Sequence, residues 1–332
     1  MSIPTTMRAL QQTTFDGPQD LRLITDARVP TPGPGEVLIR VAAAGINYVD
    51  VSQSCGTFAG GPQPPYLAGI EAAGEVVAIG GGATGVGLGA HVVGVSVGGG
   101  AFAEYLVLPA AGAVPVPAGW GDEQALGLLV NWPTAWAALK PLGGIEAGQT
   151  VVIHAAAGGT GQAAVTLAKH HGATVIAVAS PDKHDTVRAL GADHVIDARS
   201  PDLAAALLAA TGGAGADLVL ESVGGATFAA SLSAAKRVSG RVVVYGLAAG
   251  VASISNWDLV YRHQVHVIGL NIGILMQAAP RVFGEVMGEL FDLIGAGVLG
   301  PSRPTTYELA DGPGALRDLA ARATVGKLAL VP

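Results

Sequence analysis

The chain has 332 residues, half of them apolar and 13% charged, with a formal net charge of −7. That length and balance suit a well-buried protein of two domains, exclude a disordered chain, and leave no basic surface for nucleic acid or an anionic membrane. A single cysteine, Cys55, excludes an internal disulfide framework and fits a reducing compartment, so a cytoplasmic protein is expected.

In chain order, the opening MSIPTTMRALQQTTFDG lacks a basic start followed by an apolar run, and no signal peptide is expected there. Short β-rich runs follow at Glu36–Ala42, Glu75–Ile79, His91–Val95 and Ala103–Val107, separated by Pro and Gly clusters such as PTPGPGE and GPQPPY. That is the pattern of a mostly antiparallel β domain. The apolar stretch 83–102 is too dense in Gly and too often broken by polar residues to be a spanning helix. Within it, GVSVG (94–98) has the G-x-S-x-G spacing of a nucleophile elbow. The VGGGAFAEY after Ser96 cannot start the helix that motif requires, so a serine hydrolase is set aside.

From about Gly148 the rhythm changes. Apolar runs at Val151–His154, Thr174–Ala179, His194–Asp197, Asp217–Glu221, Arg241–Tyr245 and Val265–Leu270 read as strands. Helical patterns near 160–171, 182–190, 202–211, 225–236 and 256–263 lie between them. Strand–helix alternation of this kind predicts a doubly wound parallel sheet, and thus an α/β protein. Beyond residue 275 come helices near 280–296 and 312–323 and strands at Thr305–Leu309 and Lys327–Val331, expected to return to the first domain.

The first of these strands, VVIH, runs into AAAGGTG and then an Ala-rich helix that stops at Gly172. Aligned to G-x-G-x-x-G, the loop reads Ala156-x-Gly158-x-x-Gly161, with alanine in the first glycine position. Small residues permit the turn, Gly158 admits a pyrophosphate to the backbone, and Gly161 allows close helix–strand packing, with the phosphates on free helix N–H groups. The next strand ends in Ala179-Ser180-Pro181, without the carboxylate that binds a ribose 2′-hydroxyl in NAD-preferring folds, and Lys183 follows. A hydroxyl and a cation in place of an acid are suited to a 2′-phosphate, so NADPH is the expected cofactor, with Asp182 the discordant neighbour.

The stretches PGPGEVLIRVAAAGINYVD (32–50), GIEAAGEVVAIG (69–80), NWPTAWAAL (131–139), VVIHAAAGGTGQAAVTLAK (151–169), ESVGG (221–225) and RATVGKLALVP (322–332) together resemble the zinc-independent quinone oxidoreductases of the zeta-crystallin type, in the medium-chain dehydrogenase/reductase superfamily. The resemblance spans nearly the whole chain. It implies a GroES-like β-rich catalytic domain formed by 1–124 and 272–332 and a Rossmann NADP(H)-binding domain at 125–271. It further implies a cofactor in the cleft, often with a homodimer joined through the cofactor-domain sheets.

The superfamily's zinc ligands fall here at Asn47, Ile70 and near Asn131, and one cysteine cannot supply a structural zinc lobe, so no metal is expected. His263 and His266 have no evident third ligand and read as ordinary polar residues. Without a metal to polarise an alcohol, the natural reaction is hydride delivery from NADPH to a quinone or α,β-unsaturated carbonyl, already activated by conjugation.

By matched position, Gly158, Gly159, Thr160 and Gly161 would hold the pyrophosphate, and Ser180 and Lys183 the 2′-phosphate. Ser222 and Val223 would cap the adenosine side, and Gly246 and Leu247 would line the path to the nicotinamide. Asn47 and Thr134 resemble residues near the nicotinamide end, Asn131 is a further implied cofactor contact, and Leu270, Asn271, Arg322 and Lys327 would close the cleft. The chain departs from relatives in carrying Ser52 and Ser54 where they often have Tyr and Arg, and in lacking a Tyr near Asp197–Ala198. That leaves Tyr48, Asp50 and Ser52 as candidate proton donors. Two alternatives stand beside this reading: an enoyl reductase acting on acyl thioesters, disfavoured because Gly246-Leu247-Ala248 lacks the usual Lys, and a non-catalytic NADPH-binding or structural protein.

Overall fold

The structure is a computed structural model and describes residues 3–332. Its first elements are β1 (Thr6–Gln12), β2 (Leu21–Arg28), β3 (Glu36–Ile46), α1 (Tyr48–Ser54), β4 (Tyr66–Leu67), β5 (Glu71–Ile79), β6 (His91–Val95), β7 (Tyr105–Pro109) and β8 (Val114–Pro115). Then come α2 (Asn131–Leu139), β9 (Thr150–Ile153), α3 (Gly159–His170), β10 (Thr174–Ala179), α4 (His184–Ala189), β11 (His194–Asp197), α5 (Leu203–Ala210), β12 (Leu218–Glu221), α6 (Gly225–Ala234), β13 (Arg241–Val244) and β14 (His266–Gly269). The last are α7 (Ile272–Ala278), α8 (Pro280–Gly295), β15 (Thr305–Glu308), α9 (Gly312–Ala320) and β16 (Leu328–Val331). The segment Asp258–His263, where a helix was expected, is a π-helical turn.

The chain divides into two compact units, one running through Leu129 and resuming at Pro301–Pro332, the other Val130–Gly300. In the first, β3 organises a seven-stranded sheet. One edge of β3 pairs with β7 over Glu36–Arg40 and then with β16 over Ala44–Ile46, while β5 runs along the other edge. Side chains on β3 alternate between two cores, as the period of two requires. Val37, Ile39 and Val41 pack with Leu10, Phe102, Leu108 and Leu330, while Leu38 packs on the opposite face with Met7, Ala27 and Val29. The unit is mostly antiparallel, as expected, but β15 and β16 pair in parallel because α9 crosses between them.

The second unit is a six-stranded, all-parallel sheet in the order β11-β10-β9-β12-β13-β14. Relative to its first strand this is 3-2-1-4-5-6, the doubly wound order, and it reverses direction between β9 and β12. Residues Val151–Ile153, Val175–Ala179 and Leu218–Leu220 are buried, so these strands read as continuous apolar runs.

The sequence placed 272–300 with the catalytic domain, whereas α7 and α8 fall within the second unit. The physical reason is an anchor on α2: Glu289 accepts hydrogen bonds from Trp136 Nε1 at 2.6 Å and from Lys140 Nζ at 2.9 Å. No helix among the described residues is long and apolar enough to cross a membrane.

Candidate active site

In the second unit, β9 feeds a turn closed by Ala155, whose φ of 48° lies in the left-handed region. An L-residue there costs about 1–2 kcal/mol, a strain the loop sustains to reverse direction so sharply. Gly158 N–H donates to the Ala155 carbonyl at 3.0 Å, and Gly158 then caps α3 without any side-chain hydrogen bond to the helix's first turn. A Cβ on Gly161 would stand 2.2 Å from the Ala155 carbonyl oxygen, so helix and strand approach too closely for any side chain. A Cβ on Gly158 would meet only that same oxygen, at 3.4 Å. The protein therefore leaves open space at Gly158, in front of uncapped amides: a cradle a Cβ would fill, and one that fits a pyrophosphate.

Asn131, at the start of α2, donates from Nδ2 to Thr160 Oγ1 at 2.9 Å and so fixes the threonine of the loop. Thr134, also on α2, is buried and turns its hydroxyl back to the Val130 carbonyl. Leu270 is buried beyond β14, and Asn271 caps α7 by accepting from Gly273 N and Ile274 N at 2.9 and 3.1 Å. Ser222, Val223, Gly246 and Leu247 lie on two loops stitched together by Ala248 N to the Ser222 carbonyl and Ala249 N to the Val223 carbonyl.

At the end of β10, Ser180 precedes a tight turn, Pro181–Lys183. The turn brings in a residue the sequence reading missed. Arg199, past the end of β11, donates from Nη2 to Asp182 Oδ1 at 3.0 Å. A hydrogen bond from the Ser180 hydroxyl, aided by the backbone and by the charges of Lys183 and Arg199, holds Asp182 below the usual carboxylate range. Lys183 is buried, and that burial lowers its pKa, with Asp182 opposing the shift. Two cations and a hydroxyl thus gather around one acid. Only their adjacency to β10 across the β10–β11 pairing could have revealed Arg199, and no local spacing signals it.

In the first unit, Asn47, Asp50 and Lys327 converge with Glu71, which the sequence reading also passed over. Lys327 Nζ donates to Asn47 Oδ1 at 2.7 Å and to Glu71 Oε2 at 2.6 Å, and Asn47 Nδ2 donates to Glu71 Oε2 at 3.0 Å. Glu71 Oε1 accepts from Gly127 N at 2.6 Å. All four side chains are buried. The signal for Glu71 was present: a carboxylate inside the small, apolar run GIEAAG has no reason to be there without a partner.

Asp50 accepts from Asn47 N at 2.7 Å and so ties off the first turn of α1. Burial pushes its carboxyl up to about 7, against the pull of that hydrogen bond and of Lys327. Of the other candidates, Ser52 donates back to the Tyr48 carbonyl at 3.3 Å, and Tyr48 is half-buried, which raises its phenol pKa against the charge of Arg322. Arg322 itself is exposed on a left-handed backbone, φ 58°.

Residues 33–118 match the alcohol dehydrogenase GroES-like domain, and residues 159–290 match the zinc-binding dehydrogenase family. A quinone oxidoreductase of Pseudomonas syringae pv. Tomato DC3000 is 32% identical, with 98% of this chain and 100% of that chain covered at a TM-score of 0.90. The chain belongs to the medium-chain dehydrogenase/reductase superfamily, in its quinone-oxidoreductase-like branch.

Within that branch, the Escherichia coli quinone oxidoreductase, solved in complex with NADPH, is 29% identical, with 98% and 100% covered and a TM-score of 0.90. A mycocerosic acid synthase-like polyketide synthase of Mycobacterium tuberculosis is 35% identical over 319 residues, 94% of this chain. The chain spans only 15% of the length of that synthase.

The zinc in the second family's description does not fit the residues present. Asn47 offers an amide and Ile70 a hydrocarbon where the superfamily's ligands fall, and the Lys327 ammonium already stands against Asn47 Oδ1 and Glu71 Oε2. A divalent cation there would meet a fixed positive charge and neither thiolate nor imidazole. Among the described residues, no group of three or more His, Cys, Asp or Glu side chains gathers anywhere.

Proposed function

We propose that this oxidoreductase uses NADPH to reduce quinones or α,β-unsaturated carbonyl compounds without a metal. The observation that carries the proposal is the open Gly158 cradle before uncapped α3, with Ser180, Lys183 and Arg199 at the end of the next strand. The NADPH-bound E. coli relative supports it. The loop 158–161 would hold the pyrophosphate, Asn131 would orient Thr160, and Lys183 and Arg199 would bind the 2′-phosphate as charged donors. When bound, NADPH supplies the hydride. The protein supplies binding, orientation and the exclusion of water. Thr134, Ser222, Val223, Gly246, Leu247, Leu270, Asn271 and Arg322 carry their implied cofactor contacts as part of this proposal.

A second reading, reduction of an enoyl thioester, is favoured by the polyketide synthase relative. Gly246-Leu247-Ala248, where such reductases usually place Lys, weighs against it. A second copy of this chain is the proposed partner: β14 is an edge strand with Val267 exposed, and Trp257, Val260 and Tyr261 are exposed nearby in sequence.

The test is NADPH consumption with a quinone, a simple enone and a crotonyl thioester in parallel. Turnover of the quinone or enone supports the proposal, and turnover of the thioester alone shifts the assignment to the second reading. Binding of NADPH with no turnover of any acceptor would leave a non-catalytic role.

A further inference from the structure

β9 and β12 are neighbours at the point where the strand order reverses, and sheets of this kind take ligands in the crevice beyond the strand ends there. Each strand is followed at once by a loop expected to touch the cofactor. His154 follows β9, and Glu221 ends β12. Both are essentially inaccessible, at 1% and 0%, as is Ser231 on α6 at 0%. Three titratable or hydroxylic groups sealed beneath two loops need an account that apolar packing would not.

Their bonding is specific. Glu221 Oε1 accepts from Val223 N at 2.6 Å and Gly224 N at 2.9 Å, and Glu221 Oε2 accepts from Ser231 Oγ at 2.6 Å. Ser231 Oγ also lies 3.0 Å from His154 Nε2. A hydroxyl has one hydrogen. With that hydrogen on Glu221, Ser231 can only accept from His154, so the ring carries its proton on Nε2. Burial holds His154 below its ordinary pKa, in keeping with a neutral ring. A buried ionised side chain seldom repays its desolvation as stability, so a well-packed apolar residue would serve the fold as well. What the carboxylate adds is direction: it draws two successive amides inward and fixes the course of the chain just after β12.

We propose that Glu221 is a positioning residue for the cofactor crevice, holding the 222–225 loop and, through Ser231 and His154, locking it to the base of the phosphate loop. The proposal rests on the NADPH reading above for its ligand but not for its geometry. Because Ala248 N and Ala249 N donate to Ser222 and Val223 carbonyls, the same lock extends to the 246–250 loop.

The test compares wild type, E221A, E221Q and S231A in the full chain. In the ligand-free protein, the peptide containing the Val223 and Gly224 amides should exchange hydrogen about tenfold or more faster in E221A than in wild type. NADPH affinity, read by fluorescence titration, should fall about tenfold or more in E221A and less in S231A, corresponding to the loss of charge-assisted hydrogen bonds. E221Q should recover most of both. Its amide oxygen still accepts the two N–H groups, and its NH₂ can donate to Ser231, whose hydrogen then turns to the Thr227 carbonyl 2.8 Å away. A purely structural role predicts a lower melting temperature with unchanged exchange around 223–224 and unchanged affinity of the folded fraction, and that result overturns the proposal. If E221A does not fold, S231A, which keeps the carboxylate, carries the same two measurements. Wild type failing to bind NADPH would refute the cofactor reading, while the ligand-free exchange would still decide whether Glu221 fixes the loop.

Discussion

Lys327 and Glu71, 256 residues apart in sequence, meet as a buried ion pair 2.6 Å long, with side chains only 6% and 0% exposed. Asn47 Nδ2 and Gly127 N–H add hydrogen bonds to the two carboxylate oxygens, which helps so costly a pair to persist in a core. The pair links β5 to the start of β16, and through Asn47 it reaches the start of α1.

Removing one member strands the other. K327M should cost about 3–5 kcal/mol of stability, since it leaves the Glu71 carboxylate buried without its counter-charge. The double variant K327M/E71Q should regain a large part of that loss. Urea denaturation of the single and double variants checks this, and equal losses in both would contradict it.

Asp50 makes stability depend on pH in an unusual direction. Its carboxyl is raised by burial from 3.8 to about 7, so between roughly pH 4 and 7 the folded chain binds a proton that the unfolded chain has released. The contribution of Asp50 is therefore fully present below pH 4 and lost as pH rises through 7, on the order of a few kcal/mol across that window. D50N keeps an acceptor for Asn47 N–H and cannot titrate. The difference in unfolding free energy between wild type and D50N should thus shift in favour of D50N from pH 5 to pH 8, and a pH-independent difference would be the contrary outcome.

The two glycines of the loop should separate stability from binding. G161A places a Cβ 2.2 Å from the Ala155 oxygen and should destabilise the fold by about 1–3 kcal/mol as an overpacked site. G158A places one at 3.4 Å from the same atom and should leave the melting temperature nearly unchanged. It should still weaken NADPH about tenfold or more by filling the cradle. Thermal scans and NADPH titrations on the same samples distinguish the two.

Arg199 predicts a selective effect. R199A should raise the KM for NADPH about tenfold, the order expected for one lost charge-assisted hydrogen bond, and leave NADH nearly unaffected. Equal changes for both cofactors would remove Arg199 from the 2′-phosphate site.

What the sequence made legible was local. The loop 158–161 could be read because strand, glycines and helix are contiguous, and the central strands β9, β10 and β12 because buried parallel strands are near-continuous apolar runs. The helices α1 and α2 escaped notice, one being a single capped segment of seven residues and the other carrying Pro133 in its first turn. Glu71, Arg199 and the Glu221–Ser231–His154 chain escaped for a different reason. Their partners are brought in by topology from 256, 17, 10 and 77 positions away, and no periodicity encodes such a meeting. The contact of α8 with α2 is of the same kind, with Glu289 meeting Trp136 across 153 residues.

The pairing of β16 with β3 also has a consequence for how the chain is made. Residues 130–300 form a continuous unit whose sheet is whole once β14 and its flanking helices have emerged from the ribosome. The first unit, begun earlier, cannot close its sheet until Leu328–Val331 follow the whole of the second unit, carrying Lys327 with them. During all of that interval the Ala44–Ile46 edge waits without β16 and the Glu71 carboxylate without its counter-charge, Lys327. Of the two units, the one whose translation starts earlier is the one that closes later, and the window for misfolding opens there rather than in the cofactor sheet.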